Sequence, residues 1–329
     1  DGSLGASRRL FESPGIERTE AVVTPETVWL HTVDGLVALD RGGGGPAERV
    51  TLGGVERTSP AVGDEYVYSV SAEGTCTAVD RASQGTVWQT ELTTYAFRAR
   101  PVLVGSVLFV PGTGTLGALD AATGDIYWER SIEEPEIVHR GIAFANGLLV
   151  ATASGQNGGK AYAIDPETKE LRWARSDVDI PNTPPACSDS HLVFGSRDGR
   201  LRALDLDSGK TDWSYDLGRS IVVPPSVSDD TVCVPSQDGQ ETVSLDASDG
   251  TERWTLETGP VFTTPVACRG GHLLGTGGGR LLLVDESGTL RAEQAFGKPL
   301  AAIAGVEDGL VVVTSDPLGG RVHELPIPV

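Results

Sequence analysis

Pro101-Val-Leu-Val-Gly-Ser-Val-Leu-Phe-Val110-Pro-Gly-Thr-Gly-Thr-Leu-Gly-Ala-Leu-Asp120-Ala-Ala-Thr-Gly124-Asp-Ile-Tyr-Trp128-Glu-Arg130 is a run of short apolar segments separated by glycine-containing turns. Such a pattern predicts strand, turn, strand. The first strand is expected around Pro101, the second over Val107–Val110, the third over Thr115–Leu119 and the fourth over Asp125–Arg130. Four short strands in about forty residues make one blade of a β-propeller. In the turn after the third strand, Asp120 is placed to accept hydrogen bonds from backbone N–H groups two residues on. Gly124 takes positive φ without penalty. Trp128, on the fourth strand, has a flat apolar body suited to the gap between neighbouring blades and an indole N–H suited to a polar rim.

The same signal recurs along the whole chain. Seven aspartates, Asp40, Asp80, Asp120, Asp165, Asp205, Asp246 and Asp285, follow one another at intervals of 40, 40, 45, 40, 41 and 39 residues. Five have a tryptophan eight positions later: Trp88, Trp128, Trp173, Trp213 and Trp254. The glycine moves to Gly85 in the second repeat and is replaced by Lys169 in the fourth. The first and seventh repeats lack the tryptophan, with Glu48 and Glu293 near its place. The 45-residue interval reflects an insertion at Ser154-Gly-Gln-Asn-Gly-Gly159, expected to be a longer hairpin between the second and third strands of blade four.

This Ala-x-Asp-x-x-x-Gly-x-x-x-Trp pattern resembles the tryptophan-docking repeat of PQQ-type propellers. That family includes the quinoprotein alcohol dehydrogenases and the outer-membrane assembly lipoprotein BamB. The resemblance covers nearly the whole chain and implies eight blades in one domain, residues 1–329. In the last repeat Pro326 stands where an anchor aspartate belongs, and no fourth strand follows. Residues 7–12 (Ser-Arg-Arg-Leu-Phe-Glu) read as an orphan fourth strand at the other end. Because an open sheet edge is a liability, this strand is expected to complete the blade begun by three C-terminal strands. Seven blades with a frayed end is the alternative.

Composition narrows the function classes. There are 46 acidic and 26 basic residues, a formal net charge of −20, and only four of the bases are lysine. A nucleic-acid partner is disfavoured, since phosphate binding needs a basic footprint. An acidic, lysine-poor surface resembles proteins of salt-loving archaea, where salt screens the self-repulsion. Cation binding is the competing explanation. No segment has the length and apolarity of a membrane span. The chain has no methionine and starts at Asp1, which fits removal of an N-terminal signal or lipoprotein segment. With the family resemblance, that gives an extracytoplasmic, cell-surface location, with lipid anchoring as one form of it.

Catalytic patterns are weak. Cys76, Cys187, Cys233 and Cys268 lie on different repeats without Cys-x-x-Cys spacing, so they are expected as free, buried thiols. His31, His139, His191, His272 and His323 are dispersed. Gly277–Gly279 and Gly42–Gly45 lead into no helix and read as turns. The resemblance to quinoprotein dehydrogenases would imply a quinone in the central channel, a calcium ion, a catalytic aspartate and adjacent cysteines. This chain has no adjacent cysteines and only three asparagines. We therefore expect no enzyme, no cofactor and no metal.

One asymmetry suggests a binding site. Residues just ahead of each innermost strand should face the channel mouth. In blades two to five they include Arg57, Arg98, Arg100, His139, Arg140 and Asn182, with Tyr95 and Phe97 beside them. Blades six and seven offer Val222, Val223, Phe262 and Thr263 instead. Arginines gathered in one sector suit a carboxylate or another anion, unless they pair with acids such as Glu20 and Glu56. Three functions follow: a non-catalytic scaffold resembling BamB that holds a protein partner, with a membrane-associated protein as one form of it, as a monomer or a subunit of a complex; a sensor of an anionic small molecule or glycan at the mouth; and, least favoured, a quinoprotein oxidoreductase.

Overall fold

The computed structural model describes residues 4–13, 21–32, 35–42, 48–50, 52, 59–93, 99–131, 138–155, 158–179, 181–228, 230–236, 240–268, 270–306, 309–316 and 319–326. They form eight four-stranded antiparallel sheets, and no helix occurs among them. Blades one to seven span 22–50, 61–91, 102–131, 138–178, 186–216, 226–257 and 266–295, each with its strands in chain order. Blade eight is built from Leu300–Val306, Gly309–Asp316 and Gly319–Leu325, and Arg8–Ser13 adds its outermost strand. The expected closure by the N-terminal strand is therefore present, and eight blades replace the seven-bladed alternative.

The second and third strands of each blade are sandwiched between neighbouring sheets, which explains their near-continuous apolar runs. Leu108, Leu116 and Leu119 are fully buried. Each contributes about 1.5–3 kcal/mol relative to exposure. The core is thus a ring of inter-blade clusters. One joins Phe109, Leu116 and Ala118 of blade three to Leu149, Ala151 and Tyr162 of blade four. The insertion in blade four lengthens its central hairpin, Leu148–Gly155 paired with Gly158–Ile164.

The recurring turn is held by its own hydrogen bonds and by contact across the seam. Asp120 Oδ1 accepts the backbone N–H groups of Ala122 and Thr123, both at 2.8 Å. A register shift next to the anchor, as between Ala118 and Leu119, leaves Tyr127 as an extra residue, which donates its hydroxyl to Asp120 Oδ2 at 2.5 Å. In blades six and seven the extra residue is arginine, and Arg253 and Arg291 reach Asp246 Oδ2 and Asp285 Oδ2 at 2.7 and 2.6 Å. The hydrogen bond from the Ser287 hydroxyl, followed by that from the Thr289 N–H, leads the causes that hold the Asp285 carboxyl at about 2.

Four of the five repeat tryptophans dock on the next blade's turn through the indole N–H. Trp88, Trp173, Trp213 and Trp254 donate their indole N–H to Ala121 O, Leu206 O, Ala247 O and Glu286 O at 2.7–3.1 Å. These acceptors each follow an anchor aspartate. Gly124, Gly209, Gly250 and Gly288 have φ between +68° and +83°, and a Cβ there would come within 2.5–2.7 Å of the docked ring. Glycine is thus required twice, by the left-handed backbone and by the close approach. Two turns depart from it. In blade four the left-handed residue is Lys169, at φ +63°. In blade two the left-handed residue is Gln84, at φ +57°, rather than Gly85. No tryptophan arrives there, because blade one carries Glu48 opposite Ala38. In blade seven Ala292, not Glu293, stands opposite Leu283, because the Asp285 turn is one residue shorter.

The closing seam replaces tryptophan with arginine. Arg8 pairs with Glu324, the position held opposite the tryptophan in other blades. Its guanidinium donates to Arg41 O, the carbonyl after Asp40, which is where an indole would donate. It also pairs with Glu324, and Arg41 binds the other oxygen of that carboxylate at 2.8 Å. Arg41 further donates to Pro25 O at 2.7 Å and is almost fully buried.

Candidate functional site

The innermost strands begin at one end of the central channel, and a cavity of about 420 Å³ opens there. Val222, Val223 and Pro224 of blade six, Phe262, Thr263 and Val266 of blade seven and Leu300–Ala304 of blade eight form most of its wall. Ala21 closes it on the blade-one side, and Arg100, from the entry to blade three, lines it as well. Among the described lining residues Arg100 is the one charged side chain, and none is acidic. The wall is fixed from behind. A Cβ at Gly277 would lie 2.6 Å from the Phe262 ring, so the ring is seated against that backbone. Thr263 Oγ1 accepts the Gly275 N–H at 3.0 Å.

The six residues expected at the mouth have different fates. Arg57 and Arg98 lie outside the described residues, as do Tyr95, Phe97, Glu20 and Glu56. Arg100 is exposed and reaches the cavity. His139 is buried and turned away from the channel: Nδ1 meets Gly112 O at 2.7 Å and Nε2 meets the Tyr162 hydroxyl. Burial pulls its pKa down to about 4. The cause of this placement is a register shift between His139 and Gly141, with the half-buried Arg140 as the extra residue. A bulge reverses the alternation of side chains, so counting from the strand's start misplaces His139. Asn182 is half-buried and structural in its contacts, donating Nδ2 to Ile221 O at 3.1 Å and so tethering the segment that leads into Val222. The apolar sector, Val222, Val223, Phe262 and Thr263, is brought together as expected.

A second surface feature escaped sequence reasoning. Among the described residues the outermost strand of every blade leaves one edge unpaired. On three consecutive blades the start of that strand carries exposed apolar side chains: Val87 on blade two, Ile126 and Tyr127 on blade three, and Leu171 on blade four, each 42–50% exposed. Blades five and six have Thr211, Asp212, Glu252 and Arg253 there, and Leu290 on blade seven stands apart. The signal that could have found the row is the residue type at the start of each fourth strand, read repeat by repeat.

The residues present do not fit a quinone–calcium centre. No group of three or more His, Cys, Asp or Glu side chains is placed to hold a metal among the described residues. The channel cavity offers apolar carbon, threonine and one arginine, with no carboxylate for a cation. The four cysteines are free. Burial pushes the Cys76 and Cys187 thiols up to about 12 and raises those of Cys233 and Cys268, so none has thiolate character at neutral pH. No described helix is long and apolar enough to cross a membrane.

Comparison with known proteins gives a consistent picture. The family model described as outer membrane protein assembly factor BamB matches residues 33–177, 112–240, 157–299 and 239–323. The chain is 26% identical to the outer membrane protein assembly factor BamB of Yersinia pestis over 167 residues, 46% of this chain and 42% of that protein. It is 32% identical to the serine/threonine-protein kinase AfsK of Streptomyces griseus over 152 residues, 45% of this chain and 18% of the kinase. The chain thus spans less than half the length of these two relatives. A quinone alcohol dehydrogenase subunit of Gluconobacter oxydans is 26% identical over 35% of this chain and 18% of its own length. Among solved structures, BamB from Moraxella catarrhalis superposes with a TM-score of 0.77 at 18% identity, over 98% of this chain and 99% of that one. At that identity the likeness speaks for the fold alone.

Proposed function

The chain belongs to the family of the outer membrane protein assembly factor BamB, and from that premise we propose that it is a non-catalytic scaffold that holds a protein partner at the cell surface. The observation that carries this reading is the exposed apolar row Val87, Ile126, Tyr127 and Leu171 on three adjacent blades. Each of these side chains borders an unpaired strand edge. An extended partner segment gains main-chain hydrogen bonds by adding to such an edge, and apolar side chains beside it add contact area. The partner is a protein, membrane-associated in keeping with the relatives' names, and the chain acts as one subunit of a complex. The non-catalytic character rests on the unsuitable donor set and the inert thiols. Arg57, Arg98, Arg100 and Arg140 are proposed as a separate mouth site rather than as the protein contact.

The net charge of −20 supports work in concentrated salt, as in a salt-loving archaeon. There the outer-membrane setting does not carry over, and attachment at the cell surface, by a lipid anchor for instance, is what remains of the relatives' role. The test is capture of partners from native membranes in molar salt, with the folded propeller as bait. A Val87→Glu/Ile126→Glu/Leu171→Glu variant should lose the captured protein, whereas Arg98→Glu/Arg100→Glu should keep it. Loss with the arginine variant and retention with the triple variant would move the contact to the channel mouth. Capture indifferent to both would end the scaffold reading.

A further inference from the structure

The channel cavity has a composition unlike the rest of this molecule. In a chain of net charge −20, its described lining contains one cationic group and no carboxylate. Val222, Phe262, Val266, Leu300 and Ile303 supply a continuous apolar wall from three blades, and Arg100 enters from a fourth. At about 420 Å³ the space lies within the range of small-molecule pockets, which are mostly apolar with a few placed polar groups. The wall is also pre-formed. Phe262 is backed by Gly277, Thr263 is hydrogen-bonded to Gly275 N–H, and Asn182 ties down Ile221, the residue before Val222. A ligand entering therefore meets little reorganisation cost.

We propose that this cavity binds a small monocarboxylate with an apolar body, such as a medium-chain fatty acid or an aryl-alkanoic acid. The apolar body lies against Val222, Phe262 and Ile303. The carboxylate meets the Arg100 guanidinium, whose fork of N–H donors matches two carboxylate oxygens. A ligand carboxylate must replace the interaction that Arg100 already makes, and no carboxylate among the described lining residues repels the incoming anion. Cationic amphiphiles are disfavoured by Arg100. Polar sugars leave the apolar wall uncovered, which narrows the anion-or-glycan class expected from sequence to an amphipathic acid.

The test is isothermal titration of decanoate into the full chain in molar salt, below micelle concentrations. Decyltrimethylammonium and the uncharged decyl glucoside serve as comparisons of equal chain length. Decanoate should bind at one site per chain, at least about tenfold more tightly than either comparison, in line with a charge-assisted hydrogen bond. Arg100→Ala should abolish that preference while leaving decyl glucoside binding unchanged. Val222→Glu, a change at a partly exposed position, should abolish decanoate binding with circular dichroism and the urea midpoint unaltered. Equal binding of all three amphiphiles would mean non-specific adsorption and overturn the proposal. So would the absence of binding, or decanoate binding indifferent to both substitutions in folded protein. The outer-strand triple variant should bind decanoate normally, so failure of this site and failure of the scaffold reading are separable.

Discussion

Substituting Gly250 with alanine tests whether tryptophan docking holds the blades together. Gly250 has φ +74°, and an added Cβ would lie 2.6 Å from Trp213 Cε3 and 2.7 Å from Cδ2. Placing an L-residue in the left-handed region costs roughly 1–2 kcal/mol. Ordinary carbon contacts lie near 3.5–4.0 Å, so the ring must retreat by about 1 Å and forfeit part of its dispersion contact. Trp213 is only 7% exposed, and its indole donates to Ala247 O at 3.1 Å. Losing that bond adds about 1 kcal/mol. The expected destabilisation is about 2–4 kcal/mol, within the range for strain and lost packing. Urea unfolding, read as the midpoint at constant slope, measures it. The decisive version is a double-mutant cycle with Trp213→Leu. Once the ring is gone, Gly250→Ala should cost only the backbone part, giving a coupling of about 1–2 kcal/mol. An equal cost in both backgrounds would refute the docking argument, because the glycine would then be needed for φ alone.

Three further outcomes are expected. Glu324→Ala should destabilise by roughly 1–3 kcal/mol, since it removes a carboxylate bound to the buried Arg41; Arg9→Ala, which removes an exposed pair with Glu12, should cost under about 1 kcal/mol. Equal urea midpoints for the two variants would contradict the role assigned to the closing seam. His139 is neutral when folded, with a pKa of about 4 against about 6.5 unfolded, so the unfolded chain takes up the proton first. Stability should fall as pH drops from about 6.5 to 4, by at most about 3 kcal/mol, and His139→Gln should flatten that window. Carboxylates such as Asp285, held at about 2, lose their contribution only at lower pH, from about 4 downward. Finally, raising sodium chloride from 0.1 to 2 M should raise the midpoint, because the screening length falls from about 10 Å to a few ångström or less; an unchanged midpoint would count against a salt-adapted surface.

The architecture was legible because its signal is repeated. Asp120, Gly124 and Trp128 mean little alone, yet seven spaced aspartates, five of them followed by the tryptophan, specify the repeating blade and its strand order together. Closure was legible from a deficit at one end matched by a surplus at the other. What stayed hidden depends on single-residue offsets. The bulge at Arg140 turned His139 inward, and the shortened turn at Asp285 put Ala292 where Glu293 was expected. Arg8 was visible as part of a strand, but its substitution for a tryptophan needs the pairing with Glu324, which sequence does not provide. The apolar sector of the channel was readable because Val222 and Phe262 occupy equivalent places in successive repeats. Which arginine reaches the cavity was not, since that depends on the path of each entry segment.

The closing strand also sets a timetable for synthesis. Arg8 and its partner Glu324 are separated by 316 residues. At typical elongation speeds of about 5–20 residues per second, the first strand made waits roughly 15–60 s for its neighbour. Through that interval blades one to seven can assemble as an open arc, while an apolar cluster drawn from blades one and eight lacks Ala302, Val311, Val313 and Val322. The ribosome, rather than any slow chemical step, then decides when the circle becomes whole, and a nascent chain halted before Leu300 should expose both ends of that arc to chaperones or proteases.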